Sequence, residues 1–279
     1  MSRRILVAGL LVVLFALIAF FAAPLPTADF YDNFYGAAHN ALVGHSPYDS
    51  IGYICAPWGI IPLIPFALMP PLAAHGLYFA ACLAILVFVA WRLHAPPIAI
   101  AAFMLSPTAI GALLVGNLDA VVISGMLFPP VLGLLILMIK PQIGTGVALY
   151  YLIDFVRKRH WLAGFKAFAP TIAAFGLALI FFPIWYIRAA HNPSNIWNRS
   201  LFPYSIPIGL FLLWMAVRKR NPYFALASTA FLAPYLTFYT YIIVQIGLLH
   251  EDVETYVRRD VLHVFLSVFL WVIMLRFKL

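Results

Sequence analysis

The chain has 279 residues, of which 65% are hydrophobic and only 9% are charged, and its mean hydropathy is +1.00. Because soluble domains carry about 25% charged residues, this composition excludes an ordinary soluble enzyme and predicts an all-α, polytopic membrane protein. The net charge of +8 comes from short basic clusters at the ends of apolar runs. No basic stripe with interleaved aromatic residues is present, so no nucleic-acid partner is expected.

Apolar runs follow one another along the whole chain, and we predict a single transmembrane domain over 1–279 with about eight to ten membrane segments. The first run is predicted to be an uncleaved transmembrane helix with a cytoplasmic N-terminus, because Pro24-Leu25-Pro26 makes a poor signal-peptidase site. The candidate spans are 5–25, 54–69, 73–91, 97–115, 118–139, 143–155, 166–187, 201–217, 223–249 and 261–277.

Basic clusters predict the orientation of these spans. By the positive-inside rule they mark cytoplasmic faces, which gives cytoplasmic N- and C-termini in a bacterial inner membrane. The segment 27–57 has no Lys or Arg, so it is predicted to be the first outer loop, with an interfacial helix. The clusters are Arg3-Arg4, Arg157-Lys158-Arg159, Arg218-Lys219-Arg220, and Arg276 with Lys278.

Two proline-rich runs leave the topology open. If every run crosses the membrane, Arg92 lies outside and Asn117 is cytoplasmic. If 54–69 is re-entrant and the run broken at 128–130 is a V-shaped pair, Arg92 is cytoplasmic, while Asn117 and Lys140 both face outward. We prefer the second arrangement because it places Arg92 with the other cytoplasmic basic residues. Broken helices at membrane depth are tolerated where they line a cavity.

The first outer loop holds Asp29, Asp32 and Asp49, three of the nine acidic residues of the chain. Asp29 and Asp32 are three residues apart, so on a helix they would share a face. A carboxylate beside a low-dielectric cavity can act as a general base. Asp29 is equally well placed to cap a helix that runs through Leu42. The local sequence does not decide between base and cap.

Two polar positions interrupt the apolar runs in the middle of the chain. Lys140 follows a fully apolar run, where its positive charge could pair with a phosphate. Alternatively, its side chain extends along the apolar surface so that the ammonium group reaches the lipid headgroups. The break Gly116-Asn117-Leu118-Asp119 is either a turn or part of a cavity lining.

A second loop, placed outside by parity, carries Arg188, His191 and Arg199. Two arginines and a histidine suit an anionic lipid-linked substrate, and the alternative is binding to headgroups at the interface. The aromatic residues of the first loop, among them Tyr48 and Tyr53, are expected to form an interfacial belt.

The two cysteines, Cys55 and Cys82, lack metal-ligand spacing and are predicted to be small packing residues, although a disulfide between them stays open. No metal site is predicted. No glycine-rich phosphate loop is present, so no nucleotide or other cofactor is expected.

The order of these motifs resembles the bacterial polyprenol-phosphate-sugar-dependent glycosyltransferases of the GT-C class, in particular the mycobacterial lipid mannosyltransferases. The resemblance covers residues 1–165 in order and 223–245 more weakly. The chain departs from the family pattern in three ways. Asn117 stands where the family has Gln, Tyr239 lies where the family has a late His, and the chain is shorter than typical members. The motifs are Asp29-Phe30-Tyr31, 37–44, Ser46-Pro47-Tyr48-Asp49, Gly116-Asn117-Leu118-Asp119, Lys140-Pro141-Gln142, and Pro234 with Tyr239.

The resemblance implies that a sugar moves from a polyprenyl-phosphate donor to a lipid or glycan acceptor on the outer face of the cytoplasmic membrane. Asp29 would deprotonate the acceptor hydroxyl. Lys140, with Arg188 or Arg199, would hold the departing phosphate. The remaining substrate-binding positions are expected to be Asp32, Asn117, Asp119, Gln142, His191 and Tyr239.

Two other functions stay open beside the transferase. A chain that kept the scaffold without the activity would be a non-catalytic subunit that packs against other membrane proteins and lipids. A transporter is disfavoured because no inverted repeat is visible and because Asp119 and Asp154 are nearly the only ionisable residues inside the predicted spans.

Overall fold

A computed structural model describes residues 17–18, 20–21, 29–50, 52–190, 197–250, 252–253 and 257–277, and the regular structure in these residues is entirely helical. The predicted first span, 5–25, lies almost wholly outside them. A π-helix spans Asp29–Tyr35, and 3₁₀ helices span Pro47–Asp49, Pro57–Leu63, Ser124–Leu127 and Phe238–Tyr241. The α-helices are α1 (Gly36–Leu42), α2 (Ile64–Ala67), α3 (Pro71–Arg92), α4 (Pro97–Met104), α5 (Pro107–Val115), α6 (Asp119–Ile123), α7 (Pro130–Leu137), α8 (Pro141–Arg157), α9 (Trp161–Phe181), α10 (Pro183–Ala190), α11 (Ile206–Lys219), α12 (Pro222–Leu232), α13 (Ile242–Leu249) and α14 (Arg259–Phe277).

The described helices include two that are long and apolar enough to cross a membrane, α3 with 22 residues and α9 with 21. The helices α4 and α5 meet at 54° across a short break and add a third span if they form one bent segment. The all-helical class is therefore confirmed for the described residues, with two to three helices suited to a membrane.

Proline sets where many of these helices begin. Seven α-helices have proline as their first residue, at positions 71, 97, 107, 130, 141, 183 and 222. Proline lacks the amide hydrogen that would be unpaired in the first turn anyway, and its fixed φ suits a helix start but not a helix interior. As a result, 166–187, which the sequence predicts as a single run, is divided into two α-helices, and 118–139 is divided at its Phe128-Pro129-Pro130 break. The run 223–249 is also broken, after Leu232 and before Phe238.

The segment between Asn117 and Lys140 is a helical hairpin, which confirms the predicted V shape. α6 and its 3₁₀ extension run to Leu127, and α7 returns beside them. The two arms touch at glycines, since a Cβ atom built on Gly125 would lie 2.8 Å from the carbonyl oxygen of Gly133. The Lys140 Nζ atom consequently lies 2.6 Å from the Asn117 Oδ1 atom, at the open end of the hairpin.

Replacing a hairpin glycine should force the two arms apart. We expect Gly133→Ala to lower the free energy of unfolding by about 1–3 kcal/mol, because its Cβ atom would lie 2.7 Å from the Gly125 carbonyl oxygen. Gly176→Ala is the matched control, since a Cβ atom there meets nothing within 4 Å and alanine favours a helix. Thermal unfolding of the purified protein in detergent checks both. Equal melting temperatures for the two variants would contradict the close approach.

The two ends of the molecule, at which the helices begin and end, differ in charge. The Arg259 Nη1 atom donates to the carbonyl oxygens of Leu93 (3.2 Å) and Leu249 (2.9 Å), which brings the start of α14 to the ends of α3 and α13. The Asn221 Nδ2 atom lies 2.8 Å from the His250 Nδ1 atom, so the basic cluster 218–220 shares this end. We call it the basic end.

Arg92 and Arg157, the last residues of α3 and α8, also belong to the basic end, whereas Lys140 precedes α8 at the other end. Arg276 does not share the basic end, because it lies 17 residues, or about 25 Å, along α14 from Arg259. Arg276 therefore lies apart from the other described basic clusters, whereas the sequence predicts all of them on one face.

Several aromatic residues of the first loop are buried, which contradicts the predicted interfacial belt at these positions. Tyr48 and Tyr53 are 1% and 0% exposed, and their hydroxyl groups donate to the carbonyl oxygens of Cys55 and Ala56, each at 2.9 Å. The loop folds onto the helices instead of lying flat beside them. Cys55 and Cys82 are buried free thiols, as the packing prediction expects.

Candidate functional site

Five of the predicted site residues form one hydrogen-bonded group at the end of the molecule opposite the basic end. They are Asp29, Asn117, Asp119, Lys140 and Tyr239, and we call them the polar cluster. They come from the π-helix, from both ends of the helical hairpin, and from the 3₁₀ helix before α13. Residues separated by up to 210 positions in the sequence thus meet at one place.

Backbone geometry places the hairpin residues of the polar cluster. Gly116 ends α5 in a left-handed conformation, with φ of 69°, and a Cβ atom there would lie 2.7 Å from the Phe30 Cβ atom. Glycine is required for both reasons. The Tyr78 hydroxyl donates to the Asn117 carbonyl oxygen at 3.0 Å and fixes the turn. Lys140 is extended, as the residue before a proline prefers to be.

Asp29 is half-buried and accepts three hydrogen bonds. Its Oδ2 atom accepts from the Asn117 Nδ2 atom (2.8 Å) and from the Tyr239 hydroxyl (2.9 Å). Its Oδ1 atom accepts from the Asn33 Nδ2 atom (2.9 Å). A carboxylate has about four lone-pair sites, so Oδ1 retains one site for an incoming hydroxyl. No described backbone amide donates to this side chain, so the helix-cap alternative is wrong.

Lys140 and Asp119 form a buried ion pair. The Lys140 Nζ atom lies 2.5 Å from the Asp119 Oδ1 atom, and the two residues are 7% and 0% exposed. The Asp119 Oδ2 atom accepts from the Thr240 hydroxyl at 2.7 Å. Burial lowers the pKa of the Lys140 ammonium, but the nearby Asp119 carboxylate outweighs it and the net direction is upward. Lys140 is therefore a buried cation and does not snorkel.

The Asn117 amide joins the ion pair to Asp29, and its orientation follows from its partners. Lys140 can only donate, so the Asn117 Oδ1 atom faces Nζ at 2.6 Å. The Nδ2 atom then faces the Asp29 carboxylate and the Tyr239 hydroxyl, which lies 2.9 Å away. With two carboxylates and one ammonium, the polar cluster carries a net charge of −1.

The structure does not bring Asp32, Gln142 or Arg199 into the polar cluster. Asp32 is exposed, because it lies in a π-helix, where Asn33 rather than Asp32 comes back alongside Asp29. The expectation that Asp29 and Asp32 share a face is wrong. Gln142 is half-buried in the first turn of α8 and makes no side-chain hydrogen bond to the described cluster residues.

The second loop is only partly described. The Arg199 Nη1 atom donates to the Asn198 carbonyl oxygen at 3.2 Å, away from the polar cluster. Its own carbonyl oxygen accepts from the Tyr241 hydroxyl at 2.8 Å, which ties the loop to the segment that carries Tyr239. The Arg188 side chain and His191 lie outside the described part of the chain, so their predicted roles stay predictions.

Sequence reasoning missed three residues that hold the polar cluster together: Asn33, Tyr78 and Thr240. Asn33 lies four residues after Asp29, and Thr240 follows Tyr239 directly, so spacing offered a signal for both. Tyr78 lies within an apolar helix, and nothing in the sequence distinguishes it from a packing aromatic.

The polar cluster combines a carboxylate that retains one acceptor site, a tyrosine hydroxyl and a buried ammonium. Such a set can accept a proton from a hydroxyl group and place a positive charge beside it. Among the described residues, no group of three or more His, Cys, Asp or Glu side chains is placed to hold a metal ion. Comparison of the chain with protein-family models, with curated proteins and with solved structures gave no match.

Proposed function

We propose that the protein is a membrane glycosyltransferase that moves a sugar from a polyprenyl-phosphate donor to a lipid or glycan acceptor. The observation that carries the proposal is the polar cluster itself. Motifs singled out separately in the sequence, around positions 29, 117, 140 and 239, are joined by direct hydrogen bonds. A base and a cation held together in this way fit a reaction that deprotonates a hydroxyl group and releases a phosphate.

In the proposed reaction, the Asp29 Oδ1 atom takes the proton of the acceptor hydroxyl, and the acceptor oxygen attacks the anomeric carbon of the donor. The bond from that carbon to the phosphate oxygen breaks, and the phosphate leaves with the electron pair. The Lys140 ammonium has three N–H groups, of which Asn117 and Asp119 occupy two. The third can serve a phosphate oxygen.

The proposed membrane arrangement follows the charge of the two ends. The basic end faces the cytoplasm, and the polar cluster lies toward the outer face. α3, α9 and the bent pair α4–α5 cross the bilayer, and the shorter helices complete a GT-C-like bundle. In this arrangement α14 starts at the cytoplasmic face. The cytoplasmic C-terminus expected from the sequence stays a prediction.

The test is an assay of sugar transfer with purified protein in liposomes. Radiolabelled polyprenyl-phosphate mannose and glucose serve as donors, and an inner-membrane lipid extract serves as the acceptor pool. We expect labelled lipid or glycan product from the wild type, and none without protein. A wild-type protein that uses no polyprenyl-phosphate sugar overturns the proposal.

One observation favours a second function, that of a non-catalytic membrane subunit. The Lys140–Asp119 pair is buried, and both Asp119 carboxylate oxygens have internal partners, as they would in a purely structural network. Purification in mild detergent distinguishes the two functions. A subunit would bring along stoichiometric membrane partners and show no transfer, whereas an enzyme transfers sugar on its own.

The orientation is tested by cysteine labelling with a membrane-impermeant maleimide. His45 and Lys158 are both exposed and lie in the first loop and after α8, respectively. We expect His45→Cys to react in intact cells and Lys158→Cys only after permeabilisation. The native cysteines are buried, so they add little background. Labelling of Lys158→Cys in intact cells would reverse the proposed orientation.

A further inference from the structure

A second polar cavity lies at the basic end, far from the polar cluster. Its volume is about 240 Å³, and four polar side chains line it above an apolar floor formed by the tip of the helical hairpin. The lining side chains are Arg92, His94, Tyr223 and His250, and the floor is Met126 and Leu127. None of these residues has a role in the proposed transfer reaction, so the cavity needs its own explanation.

Arg92 gives this cavity a cation that has no partner among the described residues. Its side chain is exposed at the end of α3 and makes no hydrogen bond or ion pair with any described residue. Arginine presents five N–H donors in a planar fork, which matches the oxygens of a phosphate group. By contrast, the basic residues Lys158 and Arg258 at the same end are already paired with Asp154 and Asp260.

The opposite wall of the cavity is held in place. The Tyr223 ring stacks on the His250 ring, with centroids 5.5 Å apart and an interplanar angle of 28°. The His250 Nδ1 atom accepts from the Asn221 Nδ2 atom at 2.8 Å and from the Asp252 amide at 3.2 Å. The neutral ring therefore carries its hydrogen on Nε2 and is a donor there.

Negative charge near the cavity is largely compensated. The carbonyl ends of α3 and α13 point to this region and would repel an anion, but Arg259 donates to both, at Leu93 and Leu249. Among the residues that the structure describes, the acidic neighbour of His250 is Asp252, whose Oδ2 atom accepts from the Asn221 Nδ2 atom at 2.7 Å. Counting the described residues alone, Arg92 and Arg259 outnumber Asp252, and the charge around the cavity is positive.

We propose that this cavity binds a phosphate ester group, with Arg92 as its principal ligand and Tyr223 as a secondary donor. The volume is below the roughly 300 Å³ at which sites for drug-sized molecules begin, so a phosphate with a glycerol-sized body fits and a whole nucleotide does not. The apolar floor suits the carbon portion of such an ester. A lipid headgroup and a small soluble ester share this chemistry, and the proposal does not depend on sugar transfer.

Binding is measured by native mass spectrometry of the purified full chain released from detergent. The probes are phosphatidylglycerol, phosphatidylcholine as the lipid without net charge, and glycerol 3-phosphate as the soluble ester. We expect Arg92→Gln to weaken binding of an anionic probe about tenfold or more, because a charge-assisted hydrogen bond is lost. Tyr223→Phe should weaken it less.

Arg157→Gln is the matched control, since it removes one exposed positive charge at the same end but outside the cavity. Its affinity should equal that of the wild type. Binding of phosphatidylglycerol alone assigns the site to a lipid headgroup, and binding of glycerol 3-phosphate assigns it to a soluble ester. Equal losses in Arg92→Gln and Arg157→Gln, or no binding of either anionic probe, would overturn the proposal.

Discussion

Asp29→Asn should abolish sugar transfer while the protein stays folded. Asparagine keeps the shape of the side chain and can still accept the hydrogen bond that Asn33 donates, but it cannot take a proton from a hydroxyl group. Loss of a general base costs about 10²–10⁴-fold in rate. The measurement is the initial rate of product formation from the labelled donor, together with the melting temperature of each protein.

Asp32→Asn is the control for this prediction. Asp32 lies in the same π-helix but is exposed and outside the polar cluster, so its removal changes the net charge of the loop without touching the base. We expect a rate within about twofold of the wild type. Full turnover by Asp29→Asn would remove this residue as the base and leave a structural role for it.

Lys140→Met should destabilise the protein more than any other single change considered above. The substitution removes the cation that pairs with the Asp119 carboxylate. This carboxylate is 0% exposed, and the Thr240 hydroxyl is then its remaining partner. Breaking one partner of a buried ion pair costs about 3–5 kcal/mol, which corresponds to a drop in melting temperature on the order of 10 °C. Differential scanning fluorimetry of the detergent-solubilised protein records the change.

Two further variants isolate the cause of this loss. Lys158→Met removes the cation of an exposed pair with Asp154, at 2.8 Å, and should cost no more than about 0.5 kcal/mol. The double variant Asp119→Asn with Lys140→Met removes both charges and should regain part of the stability lost in Lys140→Met alone. A double variant that is as unstable as the sum of the two single variants would show that lost packing, not an unpaired charge, is responsible.

The sequence predicted the helical class and the hairpin because both depend on local properties. Apolar runs of helical length and a Phe128-Pro129-Pro130 break are visible without tertiary structure. Five members of the polar cluster were also identified, since polar residues next to apolar runs stand out.

The partnerships within the polar cluster could not be predicted, because they depend on how helices pack. The sequence predicts that Lys140 serves a phosphate, and only the folded hairpin shows that Asn117 and Asp119 already occupy two of its three N–H groups. The position of Asp32 is not predictable, because the sequence does not reveal the π-helix that rotates this residue away from Asp29. The burial of Tyr48 and Tyr53 under a folded loop likewise leaves no local signal in the sequence.

The hairpin also imposes an order on biosynthesis. Asp119 and Lys140 are 21 residues apart and can pair as soon as the hairpin has been made. Thr240, which completes the hydrogen bonding of Asp119, follows 100 residues after Lys140, and translation at about 5–20 residues per second delivers it roughly 5–20 seconds later. During that interval the Asp119 carboxylate has Lys140 as its partner and lacks Thr240. The nascent chain should therefore be most dependent on chaperones and most sensitive to changes at Lys140 until residue 240 has emerged.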